Sequence, residues 1–258
     1  MKRMIVRVGF LRTLVFGLAC AALPGLGIAH AQVPAASSTS FDAALMRLFD
    51  AHKTFTAEAE LRVTDSRNQD KVVLPMQFAA REGRFRTEVD LSRMKGSQAR
   101  PDQMATVKRM GMDRIVSITR TDTGAMHVLF PSARAAVNLA MSAEDRAALN
   151  QPPAIERKVL GQETVDGHPC RKETVTLTTS GGKKTEVTVW FATDLKEFPL
   201  QIQTTETGDT VTFRYRNVRF QEPDARLFEP PADYTAYSSM EAFTADLMRK
   251  LMKEASQQ

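Results

Sequence analysis

The sequence predicts a mainly β fold of the α+β class. Its centre is a strongly curved antiparallel sheet forming an incomplete barrel around a few helices, with an extra helix at the C-terminus. Three observations predict it. Apolar and polar residues alternate with period two over much of the chain from Phe55 to Phe220, the mark of antiparallel strands with one apolar and one wet face. Turn signals such as Glu82-Gly83, Ser180-Gly181-Gly182-Lys183 and Thr207-Gly208-Asp209 punctuate the alternating runs, as hairpins require. Only three stretches read as helices. A continuous apolar sheet face cannot stay in water, since each large side chain left exposed there forgoes roughly 1.5–3 kcal/mol of burial. With so few helices to cover it, the sheet must curl.

The N-terminus reads as an export signal spanning residues 1–31. Lys2, Arg3, Arg7 and Arg12 precede an apolar run from Leu14 to Leu23, which Pro24-Gly25 breaks. Ala29-His30-Ala31 supplies the small-x-small cleavage pattern, so the mature chain is expected to begin at Gln32 in the periplasm. The run is too short for a membrane span, which needs about 20 apolar residues. Lipidation at Cys20 is disfavoured, because Gly17 stands where lipoprotein signals carry an aliphatic residue. Four of the 35 Lys and Arg fall in the signal, leaving 31 basic residues against 30 acidic ones. The basic balance of the whole chain is therefore mostly the signal, and no nucleic-acid partner is expected.

After a short polar leader (residues 32–39), Ser40 can cap a helix carrying Phe41, Ala44, Leu45, Leu48, Phe49 and His52 on one face. Phe55, Ala57, Ala59, Leu61 and Val63 then alternate with polar residues, as do Val72, Leu74, Met76 and Phe78, and next Phe85, Val89 and Leu91. Ser92 to Met112 breaks the rhythm, with Gly96, Pro101, charges and four methionines, and reads as an irregular insertion. Strands are expected at Arg114–Thr121 and Met126–Phe130, and a helix over Ala140–Asn150, capped by Ser142 and stopped by Pro152-Pro153.

The second half predicts strands near Glu156–Gly161, Cys170–Thr179, Thr185–Thr193, Phe198–Thr205 and Asp209–Phe220. Trp190 falls on the polar side of its strand, so something should cover it. From Ser238, a capping box with Glu241 opens an amphipathic helix with Met240, Phe243, Leu247 and Leu251 on one face. That face can pack on the sheet, lie at a membrane surface, or dock on a partner.

Leu160-Gly161-Gln162-Glu163-Thr164-Val165-Asp166-Gly167-His168-Pro169-Cys170 resembles the strand–turn–strand entry of the lipoprotein-carrier superfamily of LolA and LolB. Val189-Trp190-Phe191 with Phe198-Pro199-Leu200, and Asn217-Val218 with the Pro223-to-Tyr234 stretch containing Leu227-Phe228-Glu229-Pro230-Pro231, resemble its later strands and closing turn. The resemblance lies within Leu160 to Tyr234. It implies a half-barrel over residues 40–237 whose concave apolar face is closed by a helical lid, with acyl chains held between them. Two features depart from the carriers: the charged, methionine-rich Ser92–Met112 segment, and the helix and tail of residues 238–258.

Functionally, the expectation is a periplasmic binding or carrier protein for a lipid or acylated lipoprotein, acting in outer-membrane biogenesis. The alternative is an envelope protein–protein module, a stress sensor or assembly factor, docking through Met240, Phe243, Leu247 and Leu251. The contact residues expected on the concave face are Leu61, Val63, Leu74, Met76, Phe78, Phe85, Val89, Met126, Val128, Phe130, Val189 and Phe191. Small residues at Ala57, Ala59 and Ala80 leave room beneath a lid, and flexible thioethers suit an adaptable apolar surface. No enzyme, cofactor or metal is expected. His52, His127 and His168 are scattered without ligand spacing, and no nucleophile elbow, phosphate loop or dinucleotide fingerprint occurs. His168-Pro169-Cys170 reads as a small hydrophobe beside a turn rather than an activated thiolate.

Overall fold

The computed structural model describes residues 46–141, 146, 154–178, 182, 184–206 and 208–256. The signal, the leader, the start of the first helix, most of Ala140–Asn150, Pro152-Pro153 and most of the Ser180–Lys183 turn lie outside them. The strands are β1 (Thr54–Thr64), β2 (Asp70–Arg81), β3 (Arg84–Asp90), β4 (Arg114–Arg120), β5 (Ala125–Phe130), β6 (Ala135–Ala140), β7 (Ala154–Val165), β8 (His168–Thr178), β9 (Lys184–Ala192), β10 (Phe198–Glu206), β11 (Asp209–Arg219) and β12 (Thr235–Tyr237). Among the described residues, the helices α1 (Pro101–Arg109) and α2 (Met240–Ala255) accompany them, besides short 3-10 turns such as Arg47–Phe49.

All twelve strands form one sheet in the order β12-β6-β5-β4-β3-β2-β1-β11-β10-β9-β8-β7. Its ends, β12 and β7, do not pair with each other, so the sheet is an incomplete barrel. Two meanders compose it, β1 to β6 and β7 to β11, sewn together where β1 pairs antiparallel with β11. The β6–β12 pair is parallel, Thr235 standing opposite Ala135, so the antiparallel expectation fails at that edge alone.

The alternation works as the sequence implies. Phe55, Ala57, Ala59 and Leu61 are buried while Thr56, Glu58 and Arg62 are not. Leu61 faces Leu74 across β2 and Phe213 across β11. The tight β2–β3 turn places Glu82 and Gly83 at positive φ (45° and 80°), the geometry that matches strand twist in two-residue hairpins.

The structure corrects several expectations. Ser92–Met112 is not wholly irregular. Pro101, which needs no backbone N–H partner in a first turn, starts α1, and Val107, Met110 and Met112 are buried. Before α1, Lys95 exchanges both backbone hydrogen bonds with Val73 (2.8 and 2.9 Å), taking the place beside β2 that β3 leaves open. Gly96 is required there: its φ is +107° and a Cβ would lie 2.5 Å from the Lys71 carbonyl oxygen. Ala140 ends β6 instead of starting a helix. The strand expected at Glu156–Gly161 runs from Ala154 to Val165. The C-terminal helix is capped by Ser239, not Ser238: Ser239 Oγ accepts from the Ala242 N–H at 3.1 Å.

Two apolar clusters sit on opposite faces. The larger fills the inner face, gathering Leu48, Phe49, α1 and Phe243 of α2 onto the sheet. The smaller lies outside, where Phe228, fully buried in the closing turn, covers Ala79, Val116, Ile118, Leu129 and Ala136.

Candidate ligand-binding face

The candidate site is the inner sheet face. Of the residues expected there, Leu61, Leu74, Met76, Val128, Phe130, Val189 and Phe191 are buried, whereas Val63, Phe78, Phe85, Val89 and Met126 are partly exposed. All but Met126 belong to the inner cluster, and Met126 stands opposite Leu139, which packs against it. They form a band, not a point. Val189 and Phe191 lie on one flank, Met126, Val128 and Phe130 on the other, and β1 to β3 between.

The middle of the band has a floor and an opening. Phe49, Phe55, Phe78, Phe198 and Tyr215 form a cluster of stacked and edge-to-face rings with centroid distances of 5.0–6.0 Å, each such pair adding about 0.5–1.5 kcal/mol beyond its burial. Sequence reasoning placed only Phe78 of this floor in the site, although Phe55, Phe198 and Tyr215 share the same alternating faces. Every residue of β3 remains partly exposed. Phe85 and Val89 thus border a partly exposed strip, and Met94 and Met104 from the α1 region, packed on the same cluster, are half-buried as well.

One flank carries charge. Glu173 faces Val189 across β8–β9, is only 3 % exposed, and accepts from Arg171 Nε at 2.5 Å. Arg171 also pairs with Glu197 at 2.8 Å, and the Arg157 guanidinium lies 4.4 Å from the Phe191 ring centroid. His52 is wedged between the Phe198 and Phe220 rings. Burial holds its pKa below the ordinary imidazole value, against the raising effect of a hydrogen bond with the Glu197 backbone.

The outer face is different. A hollow of about 620 Å³ is lined by Glu58, Glu60, Gln77, Glu88, Arg114 and Arg216 among others, with Met76 the sole candidate residue at its border. Burial alone would raise the Glu88 carboxyl, but hydrogen bonds from Arg114 and Arg86 outweigh it and the pKa falls. Trp190 is covered as expected: it is 4 % exposed, its Nε1–H donates to Glu163 at 2.7 Å, and the Lys172 ammonium sits 4.9 Å from its ring centroid. Cys170 is buried, its thiol pKa raised by burial, while His168 bonds Asp194 at 2.8 Å instead of activating it.

The apolar stripe of α2 turns inward. Phe243 is 2 % exposed and stacks on Phe130 at 4.5 Å, with Met240, Leu247 and Leu251 packed on the same cluster. Tyr237 Oη donates to Asp246 at 2.6 Å while its ring lies 5.4 Å from that of Phe243, so it pins the helix beside its apolar stripe. A partner docking through that stripe would have to displace the helix. Among the described residues, no group of three or more His, Cys, Asp or Glu side chains is placed to hold a metal, and no helix is long and apolar enough to cross a membrane.

Residues 73–198 match a family described as a domain of unknown function, DUF4412. No curated protein matches the chain. Solved structures similar to it include the Mycobacterium tuberculosis lipoprotein LppX, at 14 % identity over 72 % of this chain and 94 % of that one, with a TM-score of 0.38. A LolA-superfamily protein from Nitrosomonas europaea matches at 10 % identity over 74 % and 97 %, TM-score 0.37. MucB, solved in complex with the periplasmic part of MucA, matches at 12 % identity over 78 % and 62 %, TM-score 0.38.

Proposed function

We propose that the chain is a periplasmic binding or carrier protein that holds a lipid or protein-linked acyl chain against the inner face of its sheet, without catalysing a reaction on it. The observation that carries this reading is the partly exposed strip at β3. An otherwise well-packed inner face leaves Phe78, Phe85 and Val89 partly exposed on the paired strands β2 and β3, and Met94 and Met104, packed on the same cluster, are half-buried too. Apolar side chains in that arrangement gain by covering, and flexible methionines adapt to chains of varying shape. An acyl chain laid along β3 supplies the missing cover. The Arg157–Glu173–Arg171–Glu197 group gives the same concave face a polar flank for a headgroup.

Native mass spectrometry of the chain purified from the periplasm, before and after solvent extraction, tests this directly. An adduct of lipid mass that extraction removes is the expected result. An adduct-free protein that also takes up no acyl-chain probe refutes it. Phe85→Glu should abolish probe uptake while the far-UV circular dichroism stays native, since a carboxylate in an apolar contact is strongly disfavoured. Phe85 is the better site for this variant than Phe78, whose ring also stacks with Phe49 and Phe55.

A further inference from the structure

Strand β7 is a free edge, and an unusual one. Among the described residues it pairs only with β8, and nearly all of its residues are exposed on both faces. It nevertheless carries Ile155, Val159 and Leu160, which are 36 %, 60 % and 51 % exposed. An edge with bare backbone groups and apolar side chains invites pairing with another strand.

The sequence of that edge is complementary to itself. When residues 155–159 meet a second copy antiparallel about a two-fold axis at Arg157, Ile155 faces the partner's Val159. On the opposite face, Glu156 meets the partner's Lys158, and symmetry repeats every contact. Direct opposition keeps side chains of one face together, as antiparallel pairing demands. The like-charged pair on the axis is relieved, because each Arg157 guanidinium is drawn over its own Phe191 ring and lies 3.9 Å from Glu173. A two-residue slip loses the match, setting Glu156 against Leu160 and Arg157 against Val159. The bulge between Val159 and Gly161 ends the regular edge where the complementary segment ends.

We infer that β7 pairs with β7 of a second copy of this chain, forming a two-fold dimer with one continuous sheet. Glu156 and Lys158 specify the register. Neither belongs to the inner cluster, so exchanging them leaves the fold intact.

Sedimentation equilibrium of the full mature chain over a concentration series, with circular dichroism as the check on folding, reads the outcome. Native protein should show a concentration-dependent species of twice the chain mass. Glu156→Lys and Lys158→Glu should each sediment as monomer, because each sets like charges opposite. An equimolar mixture of the two should regain the dimer, since every Lys then meets a Glu. The double variant should also dimerise. A native chain that stays monomeric throughout overturns the inference. So do single variants that dimerise like the native chain, or a mixture that remains monomeric. Lipid uptake by the monomeric variants is read separately, so this test does not depend on the binding reading.

Discussion

His52 shows how one packed side chain makes the molecule sensitive to pH. Buried between Phe198 and Phe220, its imidazole has a pKa below the ordinary 6.5. Above that value both folded and unfolded chains hold it neutral. As pH falls below 6.5 the unfolded chain takes up the proton first, so the folded state loses stability on acidification. Melting temperatures recorded between pH 7 and pH 5.5 should therefore fall less for His52→Phe, which keeps the aromatic packing without the titration, than for the native chain. The sequence placed His52 on an apolar stripe but could not give its neighbours, which come from strands far along the chain. Trp190 was the opposite case. A large ring on the wrong side of an alternating strand demands a cover, and Glu163 and Lys172 supply it.

Helix α2 holds to the sheet through one residue more than any other. Phe243→Ala removes the ring stacked on Phe130 and should cost about 3–5 kcal/mol in chemical denaturation, with Met252→Ala, at a position 74 % exposed, staying within about 0.5 kcal/mol of native. Equal effects would mean that the helix does not pack in this way. Strands β1, β2 and β8 to β11 were legible because each has one wetter and one drier face, and β3 because Phe85, Val89 and Leu91 still alternate with polar residues. β6 was not: Ala135, Ala136 and Ala140 blur the alternation, and alanine favours helices. β12 has three residues and exists only through its parallel partner β6, a contact nothing local encodes. β7 was read too short because water on both faces erases the period. The candidate face was legible for the same reason as its strands. Its aromatic floor was not, because it needs β1, β2, β10 and β11 brought together.

At the scale of the whole molecule, a ligand bound only by the folded chain must stabilise it. An acyl-chain probe at a hundred times its dissociation constant should contribute about 2.7 kcal/mol, raising the melting temperature by roughly 5–10 °C for a domain of this size. A probe that binds but leaves the melting temperature unchanged would indicate binding to the unfolded chain as well. The sheet that carries this response is built from two meanders whose single seam is β1 against β11.

That seam has a consequence for how the chain is made. Residues enter the folding compartment from the N-terminus onward, so the first meander can assemble early, hairpin by hairpin. The strand at its margin, Thr54–Thr64, has no second neighbour until Asp209–Arg219 arrives. Loop closure over so long a separation is slow. The newborn half-sheet must meanwhile carry an unpaired border along β1, its backbone groups and its Phe55, Ala57, Ala59 and Leu61 side chains open to other strands until the second meander arrives.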